Sequence, residues 1–597
     1  MAAFVTLVAA TIAAFFITQH LKASTPFIGQ RVLGPLPFSD NGDGCRHFTS
    51  ISFYLQHRSD EVSVFVLDSE GNLVQTIASG VEMHKPTTSN DAVRRTFRWY
   101  GREANGQLAP DGTYYFQVAL KYQGRIENLT QNPIIIDNVP PHLVVNGVNP
   151  SQLPAPGGVP ATVSFTGSRG RAGHLIIYRT ASTGTPRLAA VRDFYFTKLD
   201  PHGYTKSWAG LIDGKPAPAG TYVMALKATD RACVTGTFPV YLPPRVGTTP
   251  HAGLTIQYLA AEPPLDPVTA GSVAVVGVAA GQHRYRWTLR RVGTRGKGIK
   301  TGSGTSTSLR VRLPGRSAGL YELAIRSAGH RTVVPLVAGA SATDHGVLVV
   351  LPALSWQGEN PVDDNGDGFP DTLTTGDPID LDRRLADGLP PGFGGEAALL
   401  AYLDRARMPY DLTTDLALAD GTGPRLAGHS GVVFAGPEVW LPAALAPELK
   451  SYVEQGGRVL SLGVGTLRRT ATVKDTSAGP EALDPTPAAA TDVLGARPGT
   501  LVHGNTDTIF VITDRLGLFK GTSGAFDFTE FEPIPTVAAP GRIVSEAGTS
   551  AQTASIIGYR LGSGIVVDIG LPTFTVRLSD DVDARELLRR LWTVLSG

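Results

Sequence analysis

Gly346-Val-Leu-Val-Val-Leu351 runs through Pro352 into Trp356-Gln-Gly-Glu-Asn360-Pro-Val-Asp363-Asp-Asn-Gly-Asp-Gly-Phe-Pro-Asp371. A strand this apolar suits the centre of a parallel sheet covered on both faces. The loop at the carboxyl end of such a strand is where open α/β sheets bind ligands. Carboxylates, amides and a tryptophan crowd this loop, which nominates Trp356, Gln357, Glu359 and Asn360 as ligand-contacting residues. Downstream the chain alternates helix and strand: Glu396 to Arg405, Gly431-Val-Val-Phe-Ala435, Ala443 to Glu454, then Arg458-Val-Leu-Ser-Leu462. Gly456-Gly457 stops the second of these helices. Ser555 to Arg560, Gly564 to Ile569 and an end helix from Val582 close the chain. Short βα units imply right-handed crossovers, so residues 345–597 read as an α/β domain with a mainly parallel sheet. Residues 470–550, rich in Gly, Thr and Pro, read as a β-rich insertion with loops.

Upstream, one pattern occurs twice. Phe97-Arg-Trp99-Tyr-Gly101 is followed by Pro110-Asp-Gly-Thr-Tyr114 and an alternating strand; Ser207-Trp208-Ala-Gly210 is followed by Pro218-Ala-Gly-Thr-Tyr222 and another. Each reads as a strand with an inward Trp, a turn and a returning strand of period two. Sandwich modules of about 100 residues are the economical solution for such strands. The expected modules cover 30–139 and 140–245. A third, 250–340, keeps Ala318-Gly-Leu-Tyr321. Val139-Pro-Pro-His142 and Leu242-Pro-Pro-Arg245 mark the joints, being stiff and unable to continue a ladder.

A chain of 597 residues is too long for one core, and about four domains is the prior. A formal net charge of +1 carries no nucleic-acid signature. The charge is uneven, however: residues 283–331 are basic and residues 359–420 acidic. The plain reading is the solvated faces of two neighbouring domains; the sharper ones are an electrostatic contact between those domains, or a basic face for an anionic cell-envelope polysaccharide. Ala2 to Ile17 is an apolar run followed by Gln19, His20 and Lys22, without a good small-x-small cleavage site. Residues 1–24 are therefore expected to be a retained signal anchor. The protein would sit at the cell membrane as a single-pass chain with its bulk extracytoplasmic. In that oxidising setting the two cysteines, Cys45 and Cys233, are allowed to pair.

The repeated Trp-x-Gly and Pro-x-Gly-Thr-Tyr, with Phe38-Ser-Asp-Asn-Gly-Asp-Gly44, resemble the Ig-like module of flagellar hook-capping (FlgD-like) proteins. That resemblance implies a structural or spacer role. Leu348 to Gln357, Val432 to Trp440 and Glu448 to Arg458 resemble the C-terminal domain of the N,N-dimethylformamidase beta subunit and its actinobacterial relatives, a class I glutamine-amidotransferase-like fold. Amidotransferases of that fold use a Cys nucleophile on a sharp strand-to-helix turn. Here the expected elbow reads Leu462-Gly-Val-Gly-Thr466, and no cysteine follows Cys233. The formamidase relatives resemble iron enzymes with the pattern His-x-Glu-Tyr-Trp. This chain has Gly436-Pro-Glu438-Val-Trp440, retaining Glu438 and Trp440 but placing donor-less Val439 where a phenol would be, which argues against iron.

Asp363, Asn365, Asp367 and Asp371 have calcium-loop spacing, with Gly368 at the turn. An EF-hand-type loop needs an acid at its twelfth place, where Thr374 stands. Calcium is thus the one cofactor the spacing suggests, with a solvated Asp/Asn/Gly turn as the alternative. No G-x-S-x-G elbow, phosphate loop or zinc spacing stands out, and His429 and His503 lack a recognisable partner in sequence. The expectation is a membrane-anchored multidomain protein whose C-terminal domain has lost its family nucleophile and serves binding or scaffolding. The alternatives are a metal-dependent amidohydrolase using Glu438 and Glu359, and a carbohydrate-binding surface protein using Trp356 and Trp440.

Overall fold

The repeated Trp-turn-Tyr segment folds the same way twice. In the computed structural model, Trp99 Nε1–H donates to the Arg102 carbonyl at 2.8 Å, and the ring lies 5.0 Å from Tyr114. The Tyr114 hydroxyl donates to the Pro110 carbonyl at 2.7 Å. In the second module Trp208 donates to Leu211 at 2.9 Å, stands 5.2 Å from Tyr222, and Tyr222 donates to Pro218 at 2.6 Å. Each aromatic thus buries its ring while its polar tip satisfies a turn carbonyl.

The structure describes residues 2–597 apart from 25–26, 35–36, 42–46, 89–92, 155–157, 169–171, 181–188, 198–201, 282, 295–297, 316, 341–345, 387, 478 and 552. Cys233 is disulfide-bonded; Cys45, and Asp43 of the shorter Asp/Asn/Gly stretch, lie outside the described residues. Helix α1 (Ala2–Ser24) keeps Phe4, Leu7 and Phe16 about two-thirds exposed, at 71%, 67% and 67%. Among the described residues no helix is long and apolar enough to cross a membrane.

Module one pairs Ile28–Leu33, Thr49–Leu55 and Arg95–Trp99 in one sheet and builds the other around Asp60–Leu67 and Gly112–Leu120. Alternate residues of Thr49–Leu55 and of Gly112–Leu120 point into one core around Phe53, Trp99 and Phe116. Module two has the same two-layer plan, with one correction to its expected end at 245. After the Leu242-Pro-Pro-Arg245 joint, Gly253–Ile256 returns to pair with Gly220–Thr229. The prolines interrupt a loop, not a domain. Module three packs a three-stranded sheet against a five-stranded one around Tyr285, Leu323 and Val276.

The C-terminal domain is organised by nine strands, numbered here β1 (Val347–Leu351), β2 (Asp411–Thr414), β3 (Gly431–Phe434), β4 (Arg458–Leu462), β5 (Val502–Asp514), β6 (Ala525–Phe531), β7 (Arg542–Gly548), β8 (Ala554–Leu561) and β9 (Gly564–Ile569). They lie in the order β2-β1-β3-β4-β9-β8-β7-β5-β6. The first five are mutually parallel. From β9 to β6 every pairing is antiparallel. The sheet is therefore mixed rather than mainly parallel, because short connections such as β8–β9 can join only antiparallel neighbours. Residues 470–550 are likewise not simply an insertion: β5, β6 and β7 extend the sheet itself. Val347, Val349 and Leu351 enter one core and Leu348 and Val350 the other, which explains the unbroken apolar run.

The acidic loop after β1 reaches the second module. Phe369, 5% exposed, joins that module's core. Thr249 donates to the Asp367 carbonyl at 2.8 Å, Gly253 N–H to Gly366 at 2.8 Å, and Thr180 to Gly368. On the other side, Arg291 of module three grips Asp404 with two bonds of 2.7 and 2.8 Å, one ion pair linking the basic and acidic stretches. Phe369→Ala should remove about 3 kcal/mol of core packing. Calorimetry should then show the second module and the C-terminal domain melting at lower and separated temperatures. Gly253→Ala, whose Cβ would stand 2.4 Å from Asp363 Oδ2, should do the same without touching the ring.

Candidate functional site at the carboxyl edge of the sheet

The residues expected to face a ligand above β1 are mostly committed to the protein itself. Trp356, on α2 (Ala353–Gly358), is 3% exposed and donates its indole N–H to Glu396 Oε2 at 3.1 Å. Gln357, fully buried, donates to the Arg383 carbonyl at 2.9 Å and accepts from Asn360 at 2.9 Å. Asn360 in turn accepts from Ala386 N–H. Arg383, 5% exposed, donates to Asp364 at 2.6 Å and to the carbonyls of Gln357, Asn360 and Asp371. Gln357 and Asn360, nominated as ligand contacts, are bonded here as struts of the loop. Trp440, 1% exposed, donates to Glu359 at 3.0 Å. With both rings buried, neither Trp356 nor Trp440 offers a face on which a sugar could stack.

The four oxygen-bearing residues of the calcium-like loop cap backbone instead. Asp363 accepts from Gly366 and Gly368 N–H at 2.8 and 2.9 Å. Asp371 accepts from Asp364 and Asn365 N–H, Asn365 from Asp367 N–H, and Asp367 from Phe369 and Gly247 N–H. Burial, reinforced by neighbouring carboxylates, pushes Asp363 up to about 7 and Asp371 up to about 6. Among the described residues no three His, Cys, Asp or Glu side chains form a group able to hold a metal ion. Glu359, bonded to Trp440 and Thr374, stands apart from Glu438 in this respect.

What the strand ends do gather is a cluster of three buried acids. Glu438 follows β3, Asp415 follows β2 and opens α4 (Asp415–Asp420), and Glu396 lies in the first turn of α3 (Phe393–Ala406). All three are fully buried. Burial pushes Glu396 up to about 8 and Asp415 up to about 6, the latter despite N–H bonds from Leu354 and Leu416. Glu438 is raised well above the ordinary carboxyl value by burial and by the charges of Asp415 and Glu396. Among the described residues no donor reaches either Glu438 oxygen, and Asp415 is its nearest charged neighbour. Two carboxyls this close and this dry do not both ionise, so one proton stays with the pair.

Glu396 and Asp415 escaped the sequence reading. Glu396 looks like an ordinary first-turn acid favoured by the helix dipole. Its signal was its position on the face of Leu399, Leu400 and Leu403, where a carboxylate must be buried. Asp415 directly follows the fully buried strand β2, at the edge where side chains of a parallel sheet converge.

Beside this cluster a cleft of about 400 Å³ opens at the carboxyl ends of β3, β4 and β9. Its walls are mainly glycine, proline and apolar side chains, with Thr575 supplying the side-chain hydroxyl. Gly436 separates it from the acids: a Cβ there would stand 2.6 Å from Glu396 Oε1. The expected elbow contributes Gly463, held at φ 114° with its Cα against Pro437. A second cleft, about 530 Å³, lies at the amino ends of the strands near His429. His429 does have a partner: its Nε2 lies 3.0 Å from Asp411 and its Nδ1 2.7 Å from the Arg425 carbonyl. His503 Nδ1 lies 3.1 Å from Glu530 Oε1 at an exposed position.

No curated protein matches the chain. Among solved structures, a β-galactosidase from Bacillus circulans is 14% identical with a TM-score of 0.23, covering 33% of this chain; the chain spans only 26% of that enzyme. A putative ThuA-like protein from Parabacteroides merdae is 10% identical with a TM-score of 0.25, over 42% of this chain and 90% of its own. FlgD from P. aeruginosa is 23% identical with a TM-score of 0.12, over 17% of this chain and 73% of its own. Residues 43–124 match the FlgD Ig-like domain, so the first module is a FlgD-like Ig-like domain.

Proposed function

We propose that the chain is an envelope protein held at the cell membrane through α1, whose Ig-like modules carry a C-terminal α/β domain that binds or scaffolds rather than catalyses. The observation behind this reading is the sealing of the acids. Glu396, Asp415 and Glu438 have no accessible surface, and the cleft beside them is lined by backbone and apolar groups with one hydroxyl. Amide hydrolysis needs a nucleophile or activated water at the carbonyl and an acid at the leaving nitrogen. A buried, proton-sharing pair behind a glycine wall delivers neither. The exposed Arg310, Arg312 and Arg326 of module three are where an anionic envelope polysaccharide would dock.

A second reading, amide hydrolysis by a rearranged acid site, is favoured by Glu438 alone, since a carboxyl–carboxylate pair can both give and take a proton. The two are separated by incubating the purified chain with small formamides and acetamides, with and without added Fe(II) or Zn(II). The expected result is no turnover above buffer. Turnover that disappears in Glu438→Gln would establish the second reading.

The acids also predict an unusual pH dependence. Glu396 and Asp415 hold protons in the folded chain that the unfolded chain releases near pH 4. Folded-state proton affinity above the unfolded value means stability is full below about pH 4 and falls as pH rises toward 8. The midpoint of C-terminal unfolding should therefore drop between pH 5 and pH 8, and Glu396→Gln should flatten the upper part of that fall. A midpoint that rises over this range would contradict the burial of protonated acids.

Helix α1 presents Phe4, Leu7, Phe15 and Phe16 to its surroundings with no core to receive them. Exposed apolar surface of this kind marks a membrane or partner contact. Deleting residues 2–24 should move the protein from the membrane pellet to the soluble fraction on cell fractionation. An unchanged distribution would remove the membrane from the proposal.

A further inference from the structure

One outer face of module three is divided between a domain contact and a line of arginines. In the five-stranded sheet, Arg286 of strand Tyr285–Arg291 is the Cα partner of Arg326 on Gly319–Ser327, and Arg326 is in turn the partner of Arg331 on His330–Gly339. On its other side Arg286 pairs with Ser303 of Lys300–Gly304, and the Arg284 guanidinium donates to Ser303 Oγ at 3.0 Å. Residues directly opposite in register share a face. Four neighbouring strands therefore carry four arginines in one row, about 14 Å long at the usual strand spacing. All four are exposed.

This row stands against electrostatics. Like charges directly opposite one another weaken a sheet. Among the described residues no ion pair or hydrogen bond takes up the side chains of Arg286, Arg326 or Arg331. Glu322, the one acid between residues 283 and 331, stands opposite Arg290, four residues away from Arg326. The same face runs on into the domain joint. Val292, Leu320 and Val337, on the arginine side of their strands, enter the C-terminal core. A Cβ on Gly388 of that domain would stand 3.0 Å from the Val333 carbonyl, two residues along from Arg331. The row thus lies at the foot of a step, with the C-terminal domain rising from the same face. A flat bilayer is held away from it, whereas a narrow extended chain can lie across the strands.

We propose that Arg284, Arg286, Arg326 and Arg331 form the binding site for a carboxylated polysaccharide laid across these four strands. This deepens, and rests on, the reading of module three as the docking face. Guanidinium forks pair bidentately with planar carboxylates. A polymer with an acid on successive sugars presents those carboxylates in a line, as the row does its cations. Bound carboxylates also relieve the repulsion among the arginines, which adds to the affinity. Arg310 and Arg312 lie on the three-stranded sheet at the other outer face of the module and serve as the control.

The test is isothermal titration of the full chain with polygalacturonate oligomers, with neutral dextran and a DNA oligonucleotide in parallel. The parent should bind the polyuronate, more weakly as salt rises, and leave dextran unbound. Arg286→Gln/Arg326→Gln/Arg331→Gln should raise Kd about tenfold or more, while Arg310→Gln/Arg312→Gln keeps the parent value. Arg326→Gln alone removes the middle charge. It should weaken binding several-fold yet raise the unliganded midpoint of module three at low salt by about 2 °C, a combination that misfolding cannot produce. The proposal is overturned if the triple variant keeps the parent affinity, or if DNA binds more tightly than the polyuronate. Binding lost only in Arg310→Gln/Arg312→Gln would overturn the row and leave the polysaccharide reading standing. A parent indifferent to polyuronate would overturn both.

Discussion

A guanidinium cannot be dried without partners, and the fold of the C-terminal half turns on satisfying that of Arg383. Its donors take one carboxylate, Asp364, and the carbonyls of Gln357, Asn360 and Asp371. Those acceptors span the whole loop after β1. Once Arg383 holds them, Asp363, Asn365 and Asp367 turn inward to cap their own backbone, and Phe369 is thrown outward into the second module. Loop shape, domain joint and the closing of the edge above β1 are therefore consequences of one buried cation. The cleft that remains open is displaced toward β3, β4 and β9.

The same reasoning shows what could be read from sequence. The strand Val347–Leu351 was legible because both its faces are buried, and a strand between two cores needs no alternation. The Trp99–Tyr114 and Trp208–Tyr222 pairs were legible because their chemistry is local: each ring closes on a carbonyl three or four residues away. The purpose of the 363–371 loop was not legible. Its position argued for a ligand, and nothing local reveals that Gly253 leaves room for Asp363 or that Thr249 and Thr180 wait for its carbonyls. Contacts more than a hundred residues apart have no signature in a window of ten. The joining of β5, β6 and β7 to the main sheet was missed for a related reason, since pairing between strands distant in sequence leaves no local signature.

The buried acids impose a constraint of their own at Gly436, which lies against Glu396. Glu396 reaches across from α3 and places Oε1 where the Cβ of any residue at 436 would have to be, 2.6 Å away. A side chain at 436 and the present position of Glu396 are mutually exclusive. The carboxyl cannot retreat, because its other bond is to the Trp356 indole and the remaining surroundings are core. The buried acid thus has Gly436 as its condition: a side chain at 436 would meet a filled space unless Glu396 changed with it, so the two positions are coupled.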